Sequence, residues 1–263
     1  MLSKSRLRLI RSLDTRKGRR ASGLFVAEGP KLVSELMCYL KCNFLLLSSE
    51  WAADNRDAYI RLCRNSDAEV ELVKPAELER ASFLQTPQGV LALFEIPSYH
   101  VDPVQAMTSN LNLALDGVQD PGNIGTIVRL ADWFGVKDIW CSENTADVWS
   151  PKAVQASMGG LARVRVHYIN LCETLRSLPQ SAPCVATALD GEPLWQSQLP
   201  QHGVIVMGNE GRGVTREVAT ACRHKLLIPS FPPGAATTES LNVGVATAII
   251  LAEFRRQALA VQR

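Results

Sequence analysis

The chain has 263 residues, 46% hydrophobic and 21% charged, with a net charge of +2. That balance is ordinary for a soluble globular protein, and the length suits two domains better than one. No apolar run reaches the ~18 residues of a membrane span, and basic residues interrupt the N-terminus where a secretory signal needs an apolar core.

Asp14 and the direct run into Phe25-Val26-Ala27-Glu28 speak against a transit peptide. The seven cysteines (38, 42, 63, 141, 172, 184 and 222) include no Cys-x-x-Cys pair. They read as reduced core residues of a cytoplasmic protein, with no disulfide frame and no metal site expected.

The near-neutral total conceals an asymmetry. Lys4, Arg6, Arg8, Arg11, Arg16, Lys17, Arg19 and Arg20 face Asp14 alone in the first twenty residues, a local charge of +7 that leaves −5 elsewhere. Such an excess suits a polyanion-binding element, and a solvated helix face is the plainer alternative. Leu2, Arg6, Leu9, Ile10 and Leu13 recur at helical spacing, so the segment is expected to be an amphipathic helix with its charges outward.

Strands are expected at 24–27, 43–48, 70–73 and 89–94. Helices are expected at 31–39, 52–63 and 75–81. This alternation makes residues 1–97 a small α/β domain. Residues 98–108, broken by Asp102-Pro103, read as a linker. In residues 109–263 the alternation restarts, with strands at 111–115, 138–141, 184–189, 204–207 and 225–228. Helices are expected at 125–134, 152–159, 169–178 and 241–260, which implies a mostly parallel sheet covered on both faces.

Polar residues beside glycines follow three of these strands. The first stretch is Asn123-Ile124-Gly125-Thr126-Ile127-Val128-Arg129. Asn123 is either a helix N-cap or a site residue, and Arg129 either a surface ion pair or a site residue. The two lie about 600° apart around a helix, so they converge only if Asn123 precedes the helix. The second stretch is Gly208-Asn209-Glu210-Gly211-Arg212-Gly213, which fits neither the dinucleotide nor the ATP phosphate-loop pattern. Glu210 there is a catalytic carboxylate or a charge favoured by a helix start. The third joins Ile228-Pro229 to Ser240-Leu241-Asn242-Val243, where Ser240 reads as N-cap or site residue and Asn242 is a poor helix choice. Small residues at 156–159 suit close helix packing, and Ser157 is not read as a nucleophile.

Taken in order, the three stretches resemble the signature motifs of the SpoU/TrmH family of SPOUT RNA methyltransferases. The resemblance covers residues 108–263 closely and the N-terminal part more loosely. It implies a SPOUT α/β domain with a deep trefoil knot and a substrate-binding domain similar to ribosomal protein L30e. It further implies S-adenosylmethionine as cofactor, structured ribosomal or transfer RNA as substrate, and a homodimer whose subunits complete each site. Carried over by position, Gly208, Ile228 and Leu241 would contact the cofactor. Asn123, Arg129, Glu210, Ser240 and Asn242 would form the catalytic cluster. Lys4, Arg8, Arg11, Arg16, Lys17, Arg19 and Arg20 would bind RNA. Two departures are a longer stretch at 230–239, expected to reshape the cofactor loop, and Gly244 where serine is common. The alternatives are a non-catalytic RNA-binding protein of the same fold and a base methyltransferase of the superfamily.

Overall fold

The structure is a computed structural model that describes residues 1–64, 68–232, 236 and 238–261. The chain opens with α1 (Lys4–Ser12), α2 (Arg16–Ser22), β1 (Leu24–Glu28), α3 (Pro30–Met37) and β2 (Cys42–Ser48). It continues with α4 (Ser49–Asp54), α5 (Arg56–Arg64), β3 (Glu69–Val73), α6 (Pro75–Ala81) and β4 (Val90–Glu95). Next come α7 (Pro103–Ser109), β5 (Leu111–Asp116), α8 (Pro121–Trp133), β6 (Asp138–Ser142), α9 (Pro151–Ser157) and β7 (Arg165–Ile169). The last elements are α10 (Leu171–Ser177), β8 (Cys184–Pro193), β9 (Gly203–Gly208), α11 (Arg216–Ala221), β10 (His224–Leu227) and α12 (Val243–Val261).

The chain divides into two compact units. One comprises Met1–Ser98 with Asp147–Arg163, the other Tyr99–Ala146 with Val164–Arg263. Residues 147–163 thus pack with the N-terminal unit although they lie far along the chain. Their anchors are physical: Trp149 packs at a tilt against Phe25 with ring centroids 4.7 Å apart, and Arg163 pairs with Glu35. Ser157 is buried and donates to the Val154 carbonyl at 2.7 Å, a structural use of its hydroxyl.

In the N-terminal unit the strand order is β1-β4-β2-β3, antiparallel except for β2 with β3. The basic segment is two helices rather than one. Thr15 caps α2 by accepting from the Gly18 N–H at 3.0 Å, and a Cβ on Gly18 would fall 1.9 Å from the Ser12 carbonyl oxygen. Glycine therefore permits the tight α1–α2 corner. Ile10 and Leu13 are fully buried in a core cluster with Phe44, Leu46 and Leu91.

The second unit holds a six-stranded sheet of order β10-β8-β9-β5-β6-β7, every pairing parallel. Its central strand β5 is buried along its whole length, as a strand covered on both faces must be. Helices α8 and α12 pack together on the sheet, while α7, α10 and α11 form a second group. Three elements escaped the pattern reading. Helix α7 lies inside the stretch read as linker, capped by Asp102, whose side chain accepts from the Val104 and Gln105 N–H groups. Strand β7 is missed because its alternation is short and polar, and α11 because it has only six residues.

Candidate active site

The site is built where the parallel strands β5, β9 and β10 end, the edge at which ligands bind in open α/β sheets. Asp116 closes β5 and is 3% exposed. One of its carboxylate oxygens accepts from both the N–H and the hydroxyl of Thr215, each at 2.7 Å. Gly117 then turns the chain with φ of +71°, and its carbonyl accepts from Asn209 Nδ2 at 2.8 Å. Asn209 Oδ1 in turn accepts from the N–H groups of Gly211 and Arg212, at 3.0 and 3.1 Å. The glycine-rich loop is thereby folded on itself and fastened to the end of β5.

Gly208 has its own reason to be glycine. A Cβ there would lie 2.2 Å from the backbone of Gly213 and Val214. The close approach expected at this position is made by the loop's own backbone.

Asp120 is the N-cap of α8, accepting from the Asn123 N–H at 3.0 Å, with Pro121 at the first helical position. Asn123 therefore sits inside the first turn and is not the cap, which frees its side chain. Its Nδ2 donates to Glu210 Oε1 at 2.8 Å, and its Oδ1 accepts from Asn242 Nδ2 at 3.0 Å. Asn242 rather than Ser240 caps α12, its Oδ1 accepting from the N–H groups of Gly244 and Val245. Those contacts fix the amide orientations, since an oxygen facing two N–H groups leaves the nitrogen to donate. The result is a directed chain, Asn242 to Asn123 to Glu210, that ends on a carboxylate and joins all three motifs.

Two residues of the expected cluster stand outside this chain. Arg129 is exposed and has no ion pair or hydrogen bond to any described residue, so the ion-pair alternative has no partner there. With Asn123 inside α8, helical geometry turns the two side chains to different directions. Ser240 is exposed and makes no hydrogen bond to a described residue. Of the cofactor positions, Gly208 is the last residue of β9, Ile228 directly follows β10, and Leu241, 46% exposed, directly precedes Asn242. A cleft of about 340 Å³ at the ends of β5, β6 and β7 is lined by Asp116, Ser142, Asn144, Asn170 and Thr215, and by none of these three. In the stretch 230–239, Pro233, Gly234, Ala235 and Thr237 lie outside the described residues.

The basic segment requires one correction. Arg19 is 3% exposed: its guanidinium donates twice to Asp147, at 2.9 and 2.7 Å, and also to the carbonyls of Leu13 and Asp14. Burial at a helix corner has turned that charge inward, so it is no surface cation. Arg11 donates to the Arg80 carbonyl at 2.9 Å and lies over the Phe83 ring, while its side chain remains exposed. Lys4, Arg8, Lys17 and Arg20 are exposed, and Arg16 is half-buried.

Asp116, Asp120, Asn209 and Thr215 were not among the residues singled out for the catalytic or cofactor site. Asp120-Pro121 carries the signature of a helix start and was legible. The others serve the site through long-range contacts that leave no local trace.

A parallel α/β sheet with a glycine-rich loop and interlocked amides at its carboxyl edge places the polar cluster where open α/β sheets bind their ligands. Residues 110–252 match the SpoU rRNA Methylase family, and residues 4–92 match the MRM3-like substrate binding domain. The chain belongs to the SpoU rRNA methylase family. It is 38% identical to a putative RNA methyltransferase of the TrmH family from Porphyromonas gingivalis, whose structure superposes with a TM-score of 0.83 over 98% of this chain and 99% of that one. An AdoMet-bound rRNA methyltransferase from Sinorhizobium meliloti is 27% identical, with a TM-score of 0.81 over 97% of this chain and 96% of that one. The 23S rRNA (guanosine(2553)-2′-O)-methyltransferase RlmP of Bacillus subtilis is 27% identical over 93% of this chain and 94% of its own length.

Proposed function

We propose that the protein transfers the methyl group of S-adenosylmethionine to a ribose 2′-hydroxyl of ribosomal or transfer RNA, with Glu210 at the centre of its reacting site. The observation that carries this reading is the hydrogen-bond chain from Asn242 through Asn123 to Glu210, which draws residues of three separate motifs to one sheet edge. When bound, S-adenosylmethionine supplies an electrophilic methyl group on a sulfonium. Gly208, Ile228 and Leu241 would hold it.

The residues of the chain have the remaining tasks of positioning the ribose and managing its proton. A ribose hydroxyl is weakly acidic, and its proton must leave as attack proceeds. Glu210 is a carboxylate, an acceptor-only group, aimed by Asn123 and unable to swing freely while that bond holds. Arg129 is no base, because a guanidinium carries hydrogen-bond donors only and has no acceptor for a proton. Its exposed charge suits a clamp on the phosphate next to the target ribose, which would also stabilise the developing alkoxide. Ser240, exposed beside the chain, would contact the same nucleotide. Orientation of this kind supplies much of the rate of an in-line transfer.

Lys4, Arg8, Arg11, Arg16, Lys17 and Arg20 would give the N-terminal unit its affinity for structured RNA. A homodimer belongs to the same reading. Its support is the exposed apolar surface on α8 and α12, where Trp133 is 82% exposed, Val245 51% and Leu259 64%. So does the knot, supported by the return of β10 across β8 to the sheet edge before α12 packs against α8. No helix of the described residues is long and apolar enough to cross a membrane, and we take the cytoplasm as its place of action.

Single-turnover methylation at saturating RNA and cofactor tests the assignment. Glu210→Gln keeps an acceptor for Asn123 and removes the charge, so the chemical step should slow by about 100-fold or more with cofactor affinity retained. Arg129→Ala should behave similarly, and Arg129→Lys nearly as badly, because lysine lacks the planar two-pronged grip. Near-normal rates in Glu210→Gln would remove the carboxylate from the chemistry. Near-normal rates in Arg129→Ala would leave that residue a surface cation.

A further inference from the structure

We infer that Cys184 and Cys222 form a reversible oxidation site, a pair of thiols that a peroxide converts to a disulfide between β8 and the end of α11. Their sulfurs lie 3.3 Å apart, in contact without a bond, and the two residues stand 38 positions apart in sequence. The backbone holds them there: the Arg223 N–H donates to the Cys184 carbonyl at 3.0 Å, so the residue after Cys222 is locked to the first residue of β8. Cys184 is fully buried in the apolar cluster formed with Val204, Val206 and Val218, while Cys222 is partly open to solvent.

The hydrogen bond between the sulfurs lowers the Cys184 pKa below that of an ordinary thiol and raises that of Cys222. Thus the more readily ionised sulfur faces the more accessible one, an arrangement suited to exchange. Cys141, also buried, has no such partner among the described residues: burial pushes its thiol far up, out of the reactive range.

The reaction balances with hydrogen peroxide as oxidant. One sulfur takes an oxygen atom to become a sulfenic acid and releases water. The second thiol attacks that sulfur, forming the S–S bond and expelling the oxygen as a second water. Two thiols lose two electrons and two protons, and the peroxide is reduced to water. The sulfurs must close from 3.3 Å to about 2.0 Å, a movement within reach of the helix end that bears Cys222. The bridge would close one ring around β9, the glycine-rich loop and α11, so oxidation would tie down the loop that carries Glu210.

Peroxide treatment of the full-length reduced protein, followed by alkylation and peptide mapping without reduction, tests the pairing. The expected result is a Cys184–Cys222 peptide pair, loss of two of the seven alkylatable thiols, and a thermal midpoint raised by roughly 5 °C. Dithiothreitol should reverse all three. Cys172→Ser should preserve the result, although Cys172 also touches α11 through the Glu217 carbonyl. Cys222→Ser should abolish the pair and the shift. Seven thiols still free at peroxide levels that oxidise exposed Cys38 would overturn the proposal. A Cys172–Cys222 link, or sulfinic acid at Cys222 without a bridge, would do the same. Should Cys222→Ser fail to fold, the wild-type peptide map decides alone.

Discussion

The two units use their polar side chains in opposite ways. In the N-terminal unit charge is concentrated in sequence and then dispersed in space. Arg19 turns inward to Asp147, Arg6 pairs with Glu69 and lies over Phe44, and Arg11 reaches the Arg80 carbonyl, while Arg8, Lys17 and Arg20 face solvent. In the C-terminal unit polar groups are scattered over 120 residues of sequence and brought to one chain of hydrogen bonds, Asn242 to Asn123 to Glu210. A dense run of like residues is therefore a poor guide to shared purpose, and scattered single residues beside glycines can be one device.

The strongest test of this contrast is Gly208→Val. With 2.2 Å between the added Cβ and the backbone of residues 213–214, the loop must be displaced, and calorimetry should find S-adenosylmethionine binding lost. Undiminished binding in a folded variant would show that the loop is dispensable to the cofactor.

Arg19→Ala should come next. Removing one partner of an almost fully buried pair leaves Asp147 uncompensated, and denaturant unfolding should show a loss of about 3 kcal/mol. Its effect on RNA affinity should be no more than that loss of folded protein explains. For the same reason, deleting residues 1–20 is a poor probe of RNA binding, since Ile10 and Leu13 belong to the core.

Asn123→Ala breaks the middle of the amide chain at a partly exposed position. It should slow single-turnover methylation by about 100-fold, near 2.7 kcal/mol of barrier, while stability changes by about 1 kcal/mol. A rate within threefold of the unaltered protein would show that Glu210 needs no aiming.

Asp138 offers a pH test within the second unit. Burial alone would raise its carboxyl pKa, but hydrogen bonds from His167 and Arg165 outweigh that and hold it below the usual value. A lowered folded pKa contributes stability that is complete above the unfolded value near ~4 and is lost as pH falls through the folded one. Thermal unfolding of Asp138→Asn should therefore show a shallower acid decline than the unaltered protein below about pH 4. An unchanged decline would move the acid sensitivity to other carboxylates.

The smallest effects belong to single surface cations. Arg8→Ala or Arg20→Ala should weaken RNA binding a few-fold and reduce the salt slope by about 1 each, with stability unaltered. An unchanged slope for both would return these residues to the solvated-face reading.

Most of the strand and helix alternation and the three glycine-bearing motifs were legible in the sequence, while α7, β7 and α11 were not. Apolar runs four to six residues long, punctuated by Gly and Pro, are local signals whose meaning barely depends on distant residues. Asn242 stood out in the sequence because the first turn of a helix offers it little local reason, whereas Asn123 and Glu210 each had a local alternative, a helix cap and a helix-start charge. The structure decided which residues cap the helices, through contacts two or three residues apart. Asp120 lies closer to the start of α8 and takes the role from Asn123, and Asn242 takes it from Ser240 while still reaching Asn123. Tertiary structure alone sent Arg19 inward, seated residues 147–163 with the N-terminal unit, and gave Gly208 its reason in the backbone of residues 213 and 214. Each of these outcomes rests on a contact between residues distant in sequence or on the closing of a loop, and such contacts depend on where the chain returns in space.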